Sequence, residues 1–383
     1  MTLEAGVTRL AKIDTFLIRY PDPNDFNFDR QTVVLRAETK DGVTGWGEAI
    51  AMWPEACRAV QLLIADGMRP ILIGEDALAT EARWEQMRRH SWWYGEGGLA
   101  SMAISAIDIA LWDIRGKIEG RPLYQLLGGL KKERIAACAS SHVNKATVEE
   151  CVAEVASFFE QGFRSCKLGF AKKGKSSIGR NLDKDIEFIQ ALRAALGPKA
   201  EILVDAGNGV QWDIETAINA ANQMLELGVG WLEEPLYPTH DAEYRQLKAA
   251  TGMPIAGGER EFTVAGYRRL MESGSVDIIG IDPARAEGVT GFAKVDALAS
   301  QFHKTMNAHA WSTAITTAAS LHLSLASENT RLFEFKPFEV VVQQDLVAEP
   351  IWHRDGWAYP VDGAGLGVEV RENVVEKLTV NRS

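Results

Sequence analysis

Three short runs, Ile202-Leu-Val-Asp205, Trp231-Leu-Glu233 and Pro254-Ile-Ala-Gly-Gly-Glu259, each pass from apolar, strand-forming residues to a carboxylate. The acids stand 28 and 26 residues apart, close to the roughly 30 residues of one strand-helix unit in an eight-stranded parallel barrel. Equal steps set the three at equivalent places, the C-terminal ends of successive strands, where barrel enzymes carry their chemistry. Three oxygen ligands arriving from neighbouring strands suit Mg2+. The interval continues: Asp282 follows Ile-Ile-Gly-Ile after 23 residues, His309 follows Met-Asn-Ala after 27, and Glu334 follows Arg-Leu-Phe after 25. One acid behind one strand is ordinarily a helix cap. Six chemistry-bearing residues in step point to one shared site.

The rest of the chain is consistent with that reading. With 383 residues it exceeds a single ordinary core, so one barrel plus a smaller unit is the natural division. Its 41 basic and 52 acidic residues leave a net charge of -11, which argues against nucleic acid or an anionic membrane as partner. The N-terminal residues lack a basic stretch followed by an apolar one, and no apolar run approaches a membrane span, so the expectation is a cytoplasmic protein. Cys57, Cys138, Cys151 and Cys166 show no paired spacing and read as small buried residues.

Residues 1–130 are expected to form an α+β capping domain. It opens with β-rich runs joined at Lys40-Asp41-Gly42 and ends in the amphipathic segment Leu99–Ile114. Between Pro21 and Asp29 lies a polar loop that reads as a flap over a pocket or a solvated linker. Ser91-Trp92-Trp93-Tyr94-Gly95 reads as packing between the domains or as a cover over a ligand. Residues 131–354 alternate strand and helix, with strands at Ile135–Ser140, Ser165–Leu168, Ile202–Asp205, Gly230–Glu233, Ile255–Glu259, Asp277–Asp282, Thr305–His309 and Leu332–Phe335. Ala171–Arg180, rich in lysine, serine and glycine, is an irregular insert at the same mouth and a candidate lid. About 355–383 should return to the first domain.

A divalent ion held by three carboxylates would bind a substrate carboxylate and acidify the neighbouring C–H. Removing that proton leaves an enediolate, whose charge calls for donors; Lys167 and a protonated Glu334, kept neutral by apolar surroundings, would supply them. The base is His309 or Asp282, with an aspartate beside the imidazole fixing its tautomer.

With these residues in view, the chain resembles the mandelate racemase subgroup of the enolase superfamily over nearly its full length, including Ser105-Ala-Ile-Asp-Ile-Ala-Leu-Trp-Asp-Ile-Arg-Gly-Lys117 and Leu123-Tyr-Gln-Leu-Leu-Gly-Gly129. The resemblance implies a (β/α)7β-type TIM barrel, Asp205, Glu233 and Glu259 as metal ligands, Asp282 and His309 as an acid-base dyad and Glu334 as electrophile. Where that subgroup often has Lys-x-Lys, this chain has Lys167-Leu168-Gly169. The lysine resembling the substrate-carboxylate contact is kept and the second base is missing, which speaks against two-base racemisation; Lys172, Lys173 or Lys175 of the insert would be poorly placed substitutes. A dehydration of an acid sugar (aldonate or aldarate) to a 2-keto-3-deoxy acid is therefore expected. An epimerase, racemase or cycloisomerase using the same enediolate is the alternative. Asn208 and Trp53 are expected substrate contacts, Arg260 and Trp311 are near enough to be either contacts or packing, and a homo-oligomer is expected from relatives.

Overall fold

The computed structural model describes residues 8–25, 27–171, 175–207, 209–210 and 212–383. The N-terminal part is an antiparallel sheet of β1 (Leu10–Asp22), β2 (Phe28–Thr39) and β3 (Thr44–Met52), with β13 (Thr379–Arg382) from the far end of the chain added beside β1. β2 and β3 form a hairpin whose turn holds Gly42 at φ +86, a backbone conformation available to glycine at little cost. The helix Gly98–Glu119 lies across β3. Close approach is possible because β3 presents glycines there: a Cβ on Gly47 would fall 1.9 Å from the Ala106 carbonyl oxygen, and one on Gly45 2.2 Å from that of Ala110.

Eight parallel strands make the second part: β4 (Ile135–His142), β5 (Ser165–Gly169), β6 (Glu201–Asp205), β7 (Val229–Glu233), β8 (Ile255–Gly257), β9 (Ile278–Ile281), β10 (Thr305–Ala308) and β11 (Thr330–Phe335). β11 pairs with β4, so the sheet closes on itself. β12 (Trp357–Ala358) runs antiparallel along the outer part of β4. Each expected strand is present, but three stop short. Glu259 lies two residues past β8, and Asp282 and His309 each lie one residue past their strands. At β8 the cause is Gly258, whose φ of +121 turns the chain out of the ladder.

Side chains alternate across a strand, and here the alternation stacks two layers inside the barrel. Cys138, Leu203, Trp231, Ala256, Ile278 and Leu332 form an apolar plug. Two residues further along their strands come Ser140, Asp205, Glu233 and Glu334. The opposite faces of the strands, with Cys166, Ile202 and Val204 among them, pack in the large core under the surrounding helices. No helix among the described residues is long and apolar enough to cross a membrane.

Candidate functional site

The polar layer is crowded with acids and short of cations. In the β6–β7 ladder Asp205 and Glu233 are direct partners. Lys167, buried on β5, places its Nζ 2.8 Å from Glu334 Oε1 and 3.2 Å from Glu233 Oε2. Burial works against the ammonium, but Glu233, Glu334, Asp205 and Glu259 outweigh it and hold Lys167 well above the ordinary lysine pKa. One cation does not satisfy the group in return: burial drives Glu233 well above the usual carboxylate range, and Asp205, Glu334 and Glu259 push it the same way against the pull of Lys167. At Glu259, burial and Asp205 raise the pKa, while His309, Arg285 and Lys167 bring it below the usual value.

Glu334 does not sit in the apolar recess expected of it. Its Oε1 receives both the Lys167 ammonium and the amide of Asn307. Its Oε2, buried, has no hydrogen-bond partner among the described residues, and neither does Asn307 Oδ1. Asn307 was missed in the sequence although a signal existed: it stands two residues before His309, one full alternation along the same strand.

His309 and Asp282 meet as a pair. Asp282 Oδ2 lies 2.6 Å from His309 Nδ1, and Asp282 Oδ1 accepts the Ala284 N–H at 2.8 Å. The fully buried carboxylate thereby accepts a hydrogen bond from Nδ1–H, which fixes that tautomer and leaves Nε2 as the basic nitrogen. The backbone around the imidazole is held on both sides, by the His309 N–H to Ile281 O at 2.8 Å and by the Ser320 hydroxyl to His309 O at 3.1 Å.

The three carboxylates expected to bind metal fit a divalent cation by chemistry and charge. All are oxygen donors from consecutive strand ends, and Glu233 Oε2 is buried without a properly directed hydrogen bond. They are not gathered into a ready shell, however. Among the described residues no three His, Cys, Asp or Glu side chains converge on a common point. Asp205 Oδ1 accepts the Gly207 N–H at 2.8 Å, and Glu233 turns to Lys167. A cation would have to draw together side chains that now meet the Gly207 N–H and the Lys167 ammonium.

Of the remaining expected contacts, Asn208, Lys172 and Lys173 lie outside the described residues, and Lys175 is exposed. Trp53 is 60% exposed at the end of β3, near where the Ile50 N–H reaches Ala284 O, two residues past Asp282. Arg260 pairs with Glu234 at 2.8 Å. The described part of the Pro21–Asp29 segment is not a solvated linker. β1 runs through Asp22 and β2 begins at Phe28, and Asn24 and Asp25 are tied to the mouth of the barrel. Asn24 Oδ1 accepts the His142 N–H at 2.8 Å, Asp25 Oδ1 meets His142 Nδ1 at 2.8 Å, and Asp22 Oδ2 receives Lys336 at 2.7 Å and Arg30 at 2.9 Å. Lys336 and Arg30 lie over the Trp311 ring at 4.2 and 4.7 Å, and His142 stands beside it at 4.4 Å. Trp311 is thus clamped in this junction.

A closed parallel barrel with an antiparallel N-terminal sheet, carrying Lys167, a layer of acids and a His–Asp pair at one mouth, defines a barrel enzyme of the enolase type. The chain belongs to that superfamily: residues 150–374 match the family described as enolase C-terminal domain-like, and residues 27–128 match the mandelate racemase / muconate lactonizing enzyme N-terminal domain. It is 30% identical over 361 residues to the D-galactarolactone cycloisomerase of Agrobacterium fabrum, covering 91% of each chain. To the D-galactonate dehydratase of Pectobacterium atrosepticum it is 30% identical over 354 residues, again covering 91% of each. A racemase from Streptomyces coelicolor, solved with bound magnesium, superposes with a TM-score of 0.86 at 27% identity, over 97% of this chain and 100% of that one.

Proposed function

We propose that the protein is a hydro-lyase that dehydrates an acid sugar, an aldonate or aldarate, to a 2-keto-3-deoxy acid. The observation that carries the reading is the pairing of His309 with Asp282 at 2.6 Å, in a chain whose next position on the Lys167 face is Gly169, with no side chain to act as a second base. The dehydratase among the relatives supports it.

In this reading His309 Nε2 takes the proton α to the substrate carboxylate. The C–H electron pair moves into the carboxylate, and the Lys167 ammonium faces the second negative charge as it develops. Glu334, in its neutral acid form, would donate a hydrogen bond from Oε2 to the same group, with Lys167 and Asn307 holding its other oxygen. The imidazolium, stabilised by Asp282, then returns its proton to the β-hydroxyl, which leaves as water when the C–O bond breaks. The enol that remains tautomerises to the keto acid. Asp205, Glu233 and Glu259 would hold Mg2+, which when bound supplies Lewis-acid polarisation of the substrate carboxylate.

A second reading, lactone cycloisomerisation, is favoured by one observation, the 30% identity to a cycloisomerase over 91% of the chain. It shares the proton abstraction and differs in the product. The deciding experiment incubates the protein and Mg2+ with a panel of aldonic acids, aldaric acids and their lactones. A semicarbazide-reactive keto acid supports dehydration; α-proton exchange with solvent and no keto acid supports isomerisation.

A further inference from the structure

Along β3 the residues alternate between two partners. Gly45 and Gly47 face the helix Gly98–Glu119, while Trp46 and Ile50 belong to the core shared with the barrel. Glu48 stands between those two, on the barrel side, and is completely buried. A carboxylate removed from water is costly unless its oxygens are satisfied. Here they receive five hydrogen bonds. Oε1 accepts the Thr32 hydroxyl at 2.9 Å and the Ser312 hydroxyl. Oε2 accepts the hydroxyls of Thr313 and Thr316, each at 2.5 Å, and the Thr313 N–H at 3.3 Å. None of these donors is charged.

Four of the five come from one short segment, Ser312 to Thr316, which begins three residues beyond His309. That segment opens the helix Ala314–Ala326, whose positive end favours the carboxylate. Other bonds immobilise the same connection: Gln343 Nε2 donates to Ser312 O at 2.5 Å, and Ser320 donates to His309 O. These come from the barrel part of the chain. Glu48 comes from the antiparallel sheet, 264 residues away from Ser312 in sequence.

We infer that Glu48 is a positioning residue through which the N-terminal sheet fixes the connection carrying His309, so that catalysis depends on how sheet and barrel are seated on each other. The inference rests on His309 acting as the base. Glu48→Gln keeps the shape but removes the charge and one of the two acceptor oxygens, so whichever way the amide turns, one side of the site no longer receives the donors it now receives. Thr316→Val removes one of the donors from the barrel side. Asp113→Asn serves as control, because Asp113 also ties buried elements together, accepting the Trp46 and Leu366 N–H groups at 3.0 and 2.9 Å, without touching the His309 connection.

The test measures steady-state kinetics on the acid that the wild type turns over, and amide hydrogen exchange of 309–316. For Glu48→Gln, kcat should fall about 10-fold or more, as small misplacements of a catalytic group do, with KM within about twofold. Exchange should quicken in 309–316. Thr316→Val should do the same to a lesser degree, and the double variant should be no worse than Glu48→Gln alone, since both act through one contact. Asp113→Asn should lower Tm and leave kcat in place. An unchanged kcat and unchanged protection in Glu48→Gln overturns the inference, as does an equal loss of kcat in Asp113→Asn. If the wild type turns over no acid sugar, the functional reading fails while the exchange arm still decides: acceleration confined to 309–316 supports the role of Glu48, and acceleration spread over the chain, or none, overturns it.

Discussion

Lys167 and Glu334 are joined across the inside of the barrel, Nζ to Oε1 at 2.8 Å, with Glu233 sharing the same ammonium at 3.2 Å. Two buried carboxylates on one buried amine make that amine irreplaceable by a neutral group, since removing one partner of a buried ion pair leaves an uncompensated charge.

Lys167→Met should therefore affect both stability and activity. Loss of the ammonium leaves Glu233 and Glu334 facing each other and should cost about 3–5 kcal/mol at neutral pH, readable in urea unfolding. Turnover should fall by about 100-fold or more, the scale of losing one preorganised donor to a developing oxyanion. A variant as stable and as active as the wild type would remove Lys167 from both roles.

His309→Asn and Asp282→Asn should separate the base from its support. The first should abolish exchange of the substrate α-proton with D2O while substrate still binds. Asp282→Asn should keep a slow reaction, reduced by about 10^4-fold if tautomer control here matters as it does in catalytic triads. Proton NMR of the substrate in D2O checks both, and α-exchange persisting at the wild-type rate in His309→Asn would transfer the base to another residue.

How much of this was legible beforehand depends on the range of the interactions. The spacing of Asp205, Glu233, Glu259, Asp282, His309 and Glu334 reflects a repeating strand-helix unit, and a period survives in sequence. The strand ends were less legible because the turn at Gly258 follows from its backbone conformation, which Gly-Gly alone does not specify. Side-chain direction was illegible for Asp205, which is held by the N–H two residues on. At Asn24 and Asp25 the sequence left flap and solvated linker open because their partner His142 is 118 residues away from Asn24, and polar residues in a loop look the same whether they meet water or another part of the chain.

The same segment yields an asymmetric prediction. Asp22 holds two cations, Lys336 and Arg30, whereas Arg30 also has Asp25. Asp22→Asn strands a buried lysine and should cost about 3–5 kcal/mol. Lys336→Met should cost less, because Asp22 keeps Arg30 and the methionine stem still covers Trp311. Thermal unfolding of the two variants side by side gives the order, and the reverse order would mean that Lys336 is held chiefly by packing on the indole.

His322 sets an acid limit. It is buried, stacks on Tyr124 at 5.6 Å, and donates through Nε2 to Leu366 O at 3.1 Å, while Nδ1 has no partner among the described residues. Burial lowers its pKa from 6.5 to about 4; the Leu366 carbonyl and Asp362 pull weakly the other way. The unfolded chain takes the proton near 6.5 and the folded chain near 4. Between those values unfolding binds a proton, so stability falls as pH falls through the window, and the contribution levels off below it. The loss amounts to about 3 kcal/mol. Relative to His322→Gln, the wild type should lose stability on going from pH 7 to pH 4, and parallel curves would show that His322 does not titrate in this way.

Metal should stabilise the fold as well as serve the reaction. Asp205, Glu233, Glu259 and Glu334 repel one another around a single ammonium, and Glu233 is held well above the carboxylate range by burial and by those neighbours. A divalent ion that binds the folded chain relieves the repulsion, and binding to the native state alone raises stability by about 2.7 kcal/mol at one hundred times Kd. Mg2+ added to chelator-treated protein should raise Tm in a concentration-dependent way, and Ca2+, larger and less demanding of geometry, should do so without restoring full activity. Asp205→Asn should remove most of the shift, because the amide oxygen is a weaker ligand and the charge that called for the cation is gone. The measurement does not depend on knowing the substrate. A Tm insensitive to Mg2+ in the wild type would mean that the four acids are balanced by Lys167 and by local N–H donors such as that of Gly207, and that the strand ends of β6 and β7 are built to hold a lysine rather than a metal.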